Sequence, residues 1–216
     1  MAEVRRAIID ERAELAELLT GFDSAAWDAP TLCRGWRVRE VVAHITVPFR
    51  LTGTRFAVEF VRAGGNFDRI ANHTARVDAA AMTSGQLLRS LWDNVGHPWR
   101  PPGCAAVHAL GHDIVHGLDI TVALGLDRKV PHDRLRLVLD LINPRCIEFF
   151  GTDLTGVELR ADDLDWSYGT GAVVTGNAQD LLLVACGRTL PARRLRGDQA
   201  TRFTRSRRRA KRRRRR

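Results

Sequence analysis

The sequence predicts a mainly α-helical protein in which a helical bundle is followed by a small α+β segment and a basic tail. Three observations predict this class: helical spacing of apolar residues up to about residue 150, alternation of apolar and polar residues after it, and a final arginine run. We therefore expect a bundle over residues 1–150, an α+β domain over 151–204 and a disordered Arg-rich tail over 205–216.

Apolar residues recur at the period of an α-helix in several segments of the first part of the chain. Thr83 followed by Gln86 is a capping-box signature, Gly125 is a typical helix stop, and Pro48 should kink the helix that contains it. The helices predicted on this basis cover approximately residues 4–20, 38–63, 84–94, 105–124 and 132–149.

The spacing of apolar residues changes after Gly151. Alternating apolar and polar residues from Val157 onward, with turns at Gly169 and Gly171, predict short antiparallel strands. The stretch "NAQDLLLVACGR" then predicts one more helix, with Asn177 at its start.

The composition fits a cytoplasmic globular protein. A chain of 216 residues can bury a substantial core without disulfides, and its four cysteines form no C-x-x-C pair. We expect them to be reduced and mostly buried. The first residues scatter charges among apolar positions, unlike a signal peptide, and no apolar run is long enough to cross a bilayer. We expect no membrane partner, and either a monomer or a homodimer.

The net charge of +9 is concentrated at the end of the chain. The last twelve residues, "RSRRRAKRRRRR", carry ten positive charges, so the remainder has a formal charge of 9 − 10 = −1. Such a tail can contact nucleic acid nonspecifically by releasing counterions, whereas the body has no basic helix suited to a groove.

Three histidines, His108, His112 and His116, follow one another at intervals of four within one predicted helix. Each step of four turns the helix by about 40° beyond a full turn and rises about 6 Å. Two neighbouring imidazoles can therefore converge on one ion, but all three can hardly do so. His44, amid the apolar stretch "VVAHITV", could supply a third ligand from another helix. The alternative is that these histidines only pack.

The stretch "AAWDAPTLCRGWRVREVVAHITV" resembles the opening signature of the mycothiol-dependent maleylpyruvate isomerase-like family, of actinobacterial type. This family is a branch of the DinB-like metal-binding four-helix bundles. Its pattern W-x-x-P-T-x-C-x-G-W-x-V-x-x-x-x-A-H ends at the first metal ligand, here His44. A later [E/H]-x-x-x-H-G-x-D-I segment, here "HDIVHGLDI", supplies the other two, matching His112 and His116. The segment over 159–188 is also similar to the C-terminal part of these proteins.

The resemblance implies a DinB-like four-helix bundle that binds a divalent metal through His44, His112 and His116. Zinc is the first expectation and nickel an alternative. The implied function is a mycothiol-dependent isomerase or thiol transferase, whose partners are this low-molecular-weight thiol and a small electrophile. Members close to the isomerase carry Glu at the position of His112, which argues against maleylpyruvate as the substrate. The alternative is a non-catalytic metal-binding bundle with a stress-response or sensor role.

Four residues near these ligands have open roles. Asp119 could accept a proton from a ligand imidazole or be an ordinary solvated or capping residue. Cys33 could be a fourth ligand, although its turn context suits a buried thiol better. We expect His108 at the surface and Asp113 away from the site, because the latter projects about 100° from the preceding residue.

Overall fold

The computed structural model describes residues 2–205, and the chain divides into two compact units between Asp140 and Leu141. The first unit is helical, and the second combines short strands with helices. These architectures confirm the predicted fold class. The boundary predicted from the change in apolar pattern, after residue 150, lies about ten residues later than this division. The domain limits stay a prediction. Apart from Arg205, the predicted disordered tail lies outside the described residues.

The first unit is built around a four-helix bundle. Helices α1, α3, α6 and α7 form the bundle, in which α7 and α6 each pack against both α1 and α3, while α5 packs along α3. The helices of this unit are α1 (Ala2–Thr20), α2 (Ser24–Trp27), α3 (Val38–Arg50), α4 (Gly53–Arg62), α5 (Phe67–Ala81), α6 (Ser84–Trp92), α7 (Val107–Leu124) and α8 (His132–Leu139).

The core of the bundle forms because each helix carries one apolar face. On α1 the buried residues follow the spacing of three and four that places side chains on one side of a helix. The same spacing recurs on α3 and α6, so the apolar faces of these helices meet in one buried hydrophobic cluster. Its fully buried large members include Leu15, Leu19, Ile45, Leu87, Leu91 and Ile120.

Local sequence signals explain where α6 begins and where α7 ends. The Thr83 side chain accepts from the backbone N–H of Gln86, and the Gln86 side chain accepts from the backbone N–H of Thr83, which confirms the predicted capping box. Helix α7 ends at Gly125, whose φ of 71° lies in the left-handed region that glycine adopts without strain.

Two predicted helices are each divided in the structure. The helix expected over residues 38–63 ends at Arg50 because Pro48 interrupts its last turn, and Thr52 caps a new helix, α4. The helix expected over residues 132–149 ends at Leu139, and Asn143 caps α9 (Pro144–Phe149) with a proline at its first position.

Helix α5 was not predicted. Two of its buried side chains, Thr74 and Ala75, are small or polar, and apolar periodicity is correspondingly weak there. Its packing against α3 is a tertiary interaction that the local sequence does not reveal.

The second unit contains a three-stranded sheet in the order β2-β1-β3, formed by β1 (Val157–Ala161), β2 (Ser167–Gly169) and β3 (Ala172–Gly176). Strands β1 and β2 are antiparallel as predicted, but β1 and β3 are parallel, so the prediction of antiparallel strands throughout was wrong. The chain crosses the end of β1 at Gly171, where φ is 134° and a side chain would collide with Gly156. This close crossing brings β3 to the opposite edge of β1.

The rest of the second unit is compact. Helix α10 (Ala178–Ala185), predicted from "NAQDLLLVACGR", is almost entirely buried and packs against β1 and β3. A 3-10 helix (Ala200–Phe203) precedes β5 (Thr204–Arg205), which pairs in parallel with β4 (Leu190–Pro191). Within residues 2–205 the four cysteines form no disulfide, and no helix has the length and apolar character needed to cross a membrane.

Candidate metal centre

Three histidines from two helices converge inside the bundle. His44 on α3 faces His112 and His116 on α7, and their ring centroids lie 4.7–5.0 Å from one another. The Nε2 atoms of His44 and His112 are 3.0 Å apart, and one nitrogen from each of the three rings lies within 4.8 Å of the others. The residues singled out in the sequence are therefore neighbours in space.

The packing of α3 against α7 creates this arrangement. On α3 the residues that flank His44, such as Ala43 and Ile45, are buried, and on α7 so are Val115 and Leu118. The histidines are themselves half-buried, and His112 and His116 stand one turn apart on the same face. Apolar packing on both helices thus fixes the backbones from which the three rings project.

The arrangement fits a metal ion with nitrogen ligands. Tetrahedral zinc binds imidazole nitrogen at about 2.0–2.1 Å, which places neighbouring ligand nitrogens about 3.3 Å apart. The separation of 3.0 Å between His44 Nε2 and His112 Nε2 is close to this value. The Nδ1 atoms of His112 and His116 each face a carboxylate, so Nε2 is the ring nitrogen with which each would bind an ion.

The carboxylate beside His112 belongs to Asp113. Its Oδ1 atom accepts a hydrogen bond from His112 Nδ1 at 2.9 Å, and its Oδ2 atom accepts one from Arg12 Nε at 2.7 Å. The expectation that Asp113 lies away from the site was wrong. A rotation of 100° separates the two side chains at the helix axis, yet the Asp113 carboxylate and the His112 ring are close enough to form a hydrogen bond.

Asp119 takes the equivalent place beside His116. Its fully buried side chain accepts from His116 Nδ1 at 3.0 Å and from the Cys33 thiol at 2.9 Å, both on Oδ2. Of the two roles left open for Asp119, the geometry supports contact with an imidazole, that of His116. A carboxylate only accepts, so both acidic partners favour the tautomer protonated on Nδ1.

Cys33 lies on the connector before α3, which is tied to α7. Leu32 donates its backbone N–H to the carbonyl oxygen of Asp119 at 3.0 Å, next to the thiol contact. The Cys33 Sγ atom is 3.7 Å from His116 Nδ1, and Cys33, His116 and Asp119 also form a group of potential ligand atoms within 4.8 Å. The thiol therefore adjoins the histidine cluster through Asp119.

Two tryptophans flank the cluster. The Trp36 ring lies 5.1 Å from the His44 ring and donates its Nε1–H to Asn72, while the Trp99 ring lies 5.2 Å from the His112 ring. The position of Trp99 was not predicted, because the segment "HPWRPPG" indicates only a break between helices.

His97 and His108 have other environments. Burial, together with the nearby Arg12 charge, lowers the pKa of His97 below its ordinary value, and its Nδ1 atom accepts from the backbone N–H of Trp99. His108 is exposed, with Nδ1 3.3 Å from the carbonyl oxygen of Ala105. The expected surface position of His108 is confirmed.

Comparisons with known proteins agree with this geometry. The family model described as the mycothiol maleylpyruvate isomerase N-terminal domain matches residues 9–120, which include all three histidines of the cluster. No curated protein matches the chain.

Two solved structures have the same fold. A crystal structure of the mycothiol-dependent maleylpyruvate isomerase has a TM-score of 0.57, and one of a mutant of that enzyme has a TM-score of 0.53. Each is 14% identical to this chain, and each match covers 92% of this chain and 93% of the other. Since the family model spans more than half of the sequence and includes the candidate metal centre, this chain belongs to the mycothiol maleylpyruvate isomerase N-terminal domain family.

Proposed function

We propose that this protein binds a divalent metal through His44, His112 and His116 and acts with mycothiol on a small electrophile, as an isomerase or a thiol transferase. The observation that carries the proposal is the convergence of three imidazoles on one point, two of them held by buried carboxylates. Family membership supports the choice of thiol.

We expect zinc at this centre, with nickel as the alternative. Three imidazoles are compatible with zinc, nickel, copper and iron, and because these ligands are neutral, a divalent ion keeps its full double charge. A bound ion of this kind supplies Lewis acidity, which favours the thiolate form of a coordinated thiol near neutral pH.

The chain's own residues hold and shield the centre. Asp113 and Asp119 keep a proton on the Nδ1 atoms of their histidines and so direct the Nε2 atoms inward. Trp36 and Trp99 place aromatic rings beside the cluster, where they exclude water and offer flat apolar surface to a substrate.

We infer an electrophile other than maleylpyruvate. With His112 at the position where relatives close to the isomerase carry Glu, the ligand set is neutral and leaves the centre more electrophilic. For an isomerase, the mycothiol sulfur adds to a conjugated double bond, whose π electrons move onto the conjugated carbonyl group. Rotation about the resulting single bond follows, and the returning electrons expel the same sulfur. For a transferase, the new carbon–sulfur bond is kept, and the proton lost by the thiol is added to the neighbouring carbon.

Calorimetric titration of mycothiol into the zinc-loaded protein tests this proposal. Binding by the wild type and by His108→Ala, but not by His116→Ala, supports it. The second step is to measure turnover of conjugated electrophiles by following mycothiol consumption. Zinc binding without any mycothiol binding overturns the thiol-dependent function and favours the non-catalytic metal-binding bundle instead.

A further inference from the structure

We propose that Arg12, on helix α1, is a positioning residue of the metal centre that acts through Asp113 on His112. This inference rests on the proposed metal-binding function. Arg12 supplies no ligand atom and lies on a helix that contributes no histidine to the cluster.

The connection is a continuous chain of short contacts. Arg12 Nε donates to Asp113 Oδ2 at 2.7 Å, and Asp113 Oδ1 accepts from His112 Nδ1 at 2.9 Å. The side chains of Arg12 and Asp113 are 0% and 1% exposed. Because one carboxylate oxygen is fixed by the guanidinium, the other is held in place to orient the imidazole.

Stability alone is a poor explanation for this ion pair. Burying two charges carries a large desolvation penalty, and a well-packed apolar pair is often as stable or more so. The Arg12 Nη2 atom is also buried with no hydrogen-bond partner among residues 2–205. The geometry is better explained by its effect on His112.

Arg12 is also connected to a second neighbour of the His112 ring. Its Nη1 atom donates to the carbonyl oxygen of His97 at 2.7 Å, and the His97 ring accepts from the backbone N–H of Trp99. The Trp99 ring in turn lies against His112 in an edge-to-face arrangement. One guanidinium thus supports both the carboxylate and the aromatic ring that contact His112.

The test compares zinc affinities of the wild type, Arg12→Met, Asp113→Asn and the double variant, measured by competition with a chromophoric chelator. Each change should weaken zinc binding by about 10–100-fold, the usual effect of removing an outer-shell partner. The double variant should lose no more than the larger single loss, because both residues act along one path. It contains no unpaired buried charge, so it remains informative if a single variant fails to fold.

Asp78→Asn is the matched control. Asp78 is a buried carboxylate that pairs with Arg50 and Arg55, and none of the contacts described for it involves the histidines. This variant should lower the unfolding midpoint without changing zinc affinity. The absorption spectrum of the cobalt-substituted protein gives a second readout, which should change in the Arg12 and Asp113 variants but not in the control.

Three outcomes separate the possible failures. If the wild type binds zinc and the double variant binds it equally well, the positioning role is wrong and the proposed function stands. If the losses of the two single variants multiply in the double variant, Arg12 does not act through Asp113. If the wild type binds no zinc, the proposed function itself fails.

Discussion

The Nε2 atoms of His44 and His112 lie 3.0 Å apart although 68 positions separate the two residues in the chain. Each ring projects from a helix whose backbone is fixed by buried apolar neighbours, and His112 donates a hydrogen bond from Nδ1 to the Asp113 carboxylate. Such a pair of opposed nitrogens is suited to share a cation, and His116 adds a third donor.

Removal of one of the three proposed ligands should abolish tight metal binding. His44→Ala takes away the one histidine that α3 contributes to the three-histidine cluster, so two imidazoles on one helix remain. We expect this variant to lose its zinc on dialysis, as measured by elemental analysis. His108→Ala, which changes an exposed histidine on the same helix as the other ligands, should retain one ion per chain like the wild type. Equal zinc content in the two variants would refute the assignment.

The Asp119 carboxylate should affect the centre more strongly than the Cys33 thiol does. Asp119→Asn removes the charge that orients His116, and zinc affinity should fall about 10–100-fold. Cys33→Ala removes only a donor to that carboxylate, so one ion per chain should remain. A sulfur-to-metal charge-transfer band in the cobalt form that disappears in Cys33→Ala would show instead that the thiol is a ligand.

The bundle core should be sensitive to cavities. Leu91 is fully buried in the cluster between α1, α3 and α6, and Leu91→Ala should lower the free energy of unfolding by about 2–5 kcal/mol. Leu126 is 38% exposed, and Leu126→Ala should change the free energy of unfolding by less than about 0.5 kcal/mol. Urea unfolding of the three proteins measures both effects, and a similar loss in the two variants would contradict the described core.

Stability should depend on pH through Glu40. Burial acts to raise the pKa of Glu40, but hydrogen bonds and charge from Arg37 outweigh it, so this pKa lies below the ordinary value. The folded state therefore binds fewer protons at Glu40 than the unfolded state, and the stabilisation is lost as pH falls through the lowered pKa.

Glu40→Gln should accordingly be less stable than the wild type at pH 7, by about 1 kcal/mol, which is typical of a helix cap. The difference should shrink as pH falls through the lowered pKa, since the wild-type carboxylate becomes protonated in that range. Unfolding midpoints measured from pH 7 downward in steps provide the measurement. A difference that stays constant over the whole series would show that the charge plays no part.

Binding to nucleic acid should reside in the tail. Residues 206–216 carry nine positive charges, and the formal charge without them is 9 − 9 = 0. Removing them should abolish retention on double-stranded DNA at low salt, because few phosphate counterions can then be displaced. The truncated protein should still bind one zinc ion. DNA binding that persists after truncation would place the contact on the body of the protein.

Part of this structure could be predicted from local sequence. The buried stripe of α1, the capping box of Thr83 and Gln86, and the glycine stop at Gly125 depend on residues within a few positions of one another. The spacing of His112 and His116 is local in the same sense, since a helix places residues four apart on one face.

The remaining features depend on packing between distant segments. Only the contact of α3 with α7 brings His44 to the other two histidines, and only the bundle brings Arg12 to Asp113, 101 positions away. Helix α5 and the parallel pairing of β3 also escaped prediction, because partners elsewhere in the chain stabilise them. The sequence by itself thus determined most of the helices and the candidate ligands, whereas the tertiary structure decided which side chains meet, because burial of apolar faces sets the positions of distant backbones.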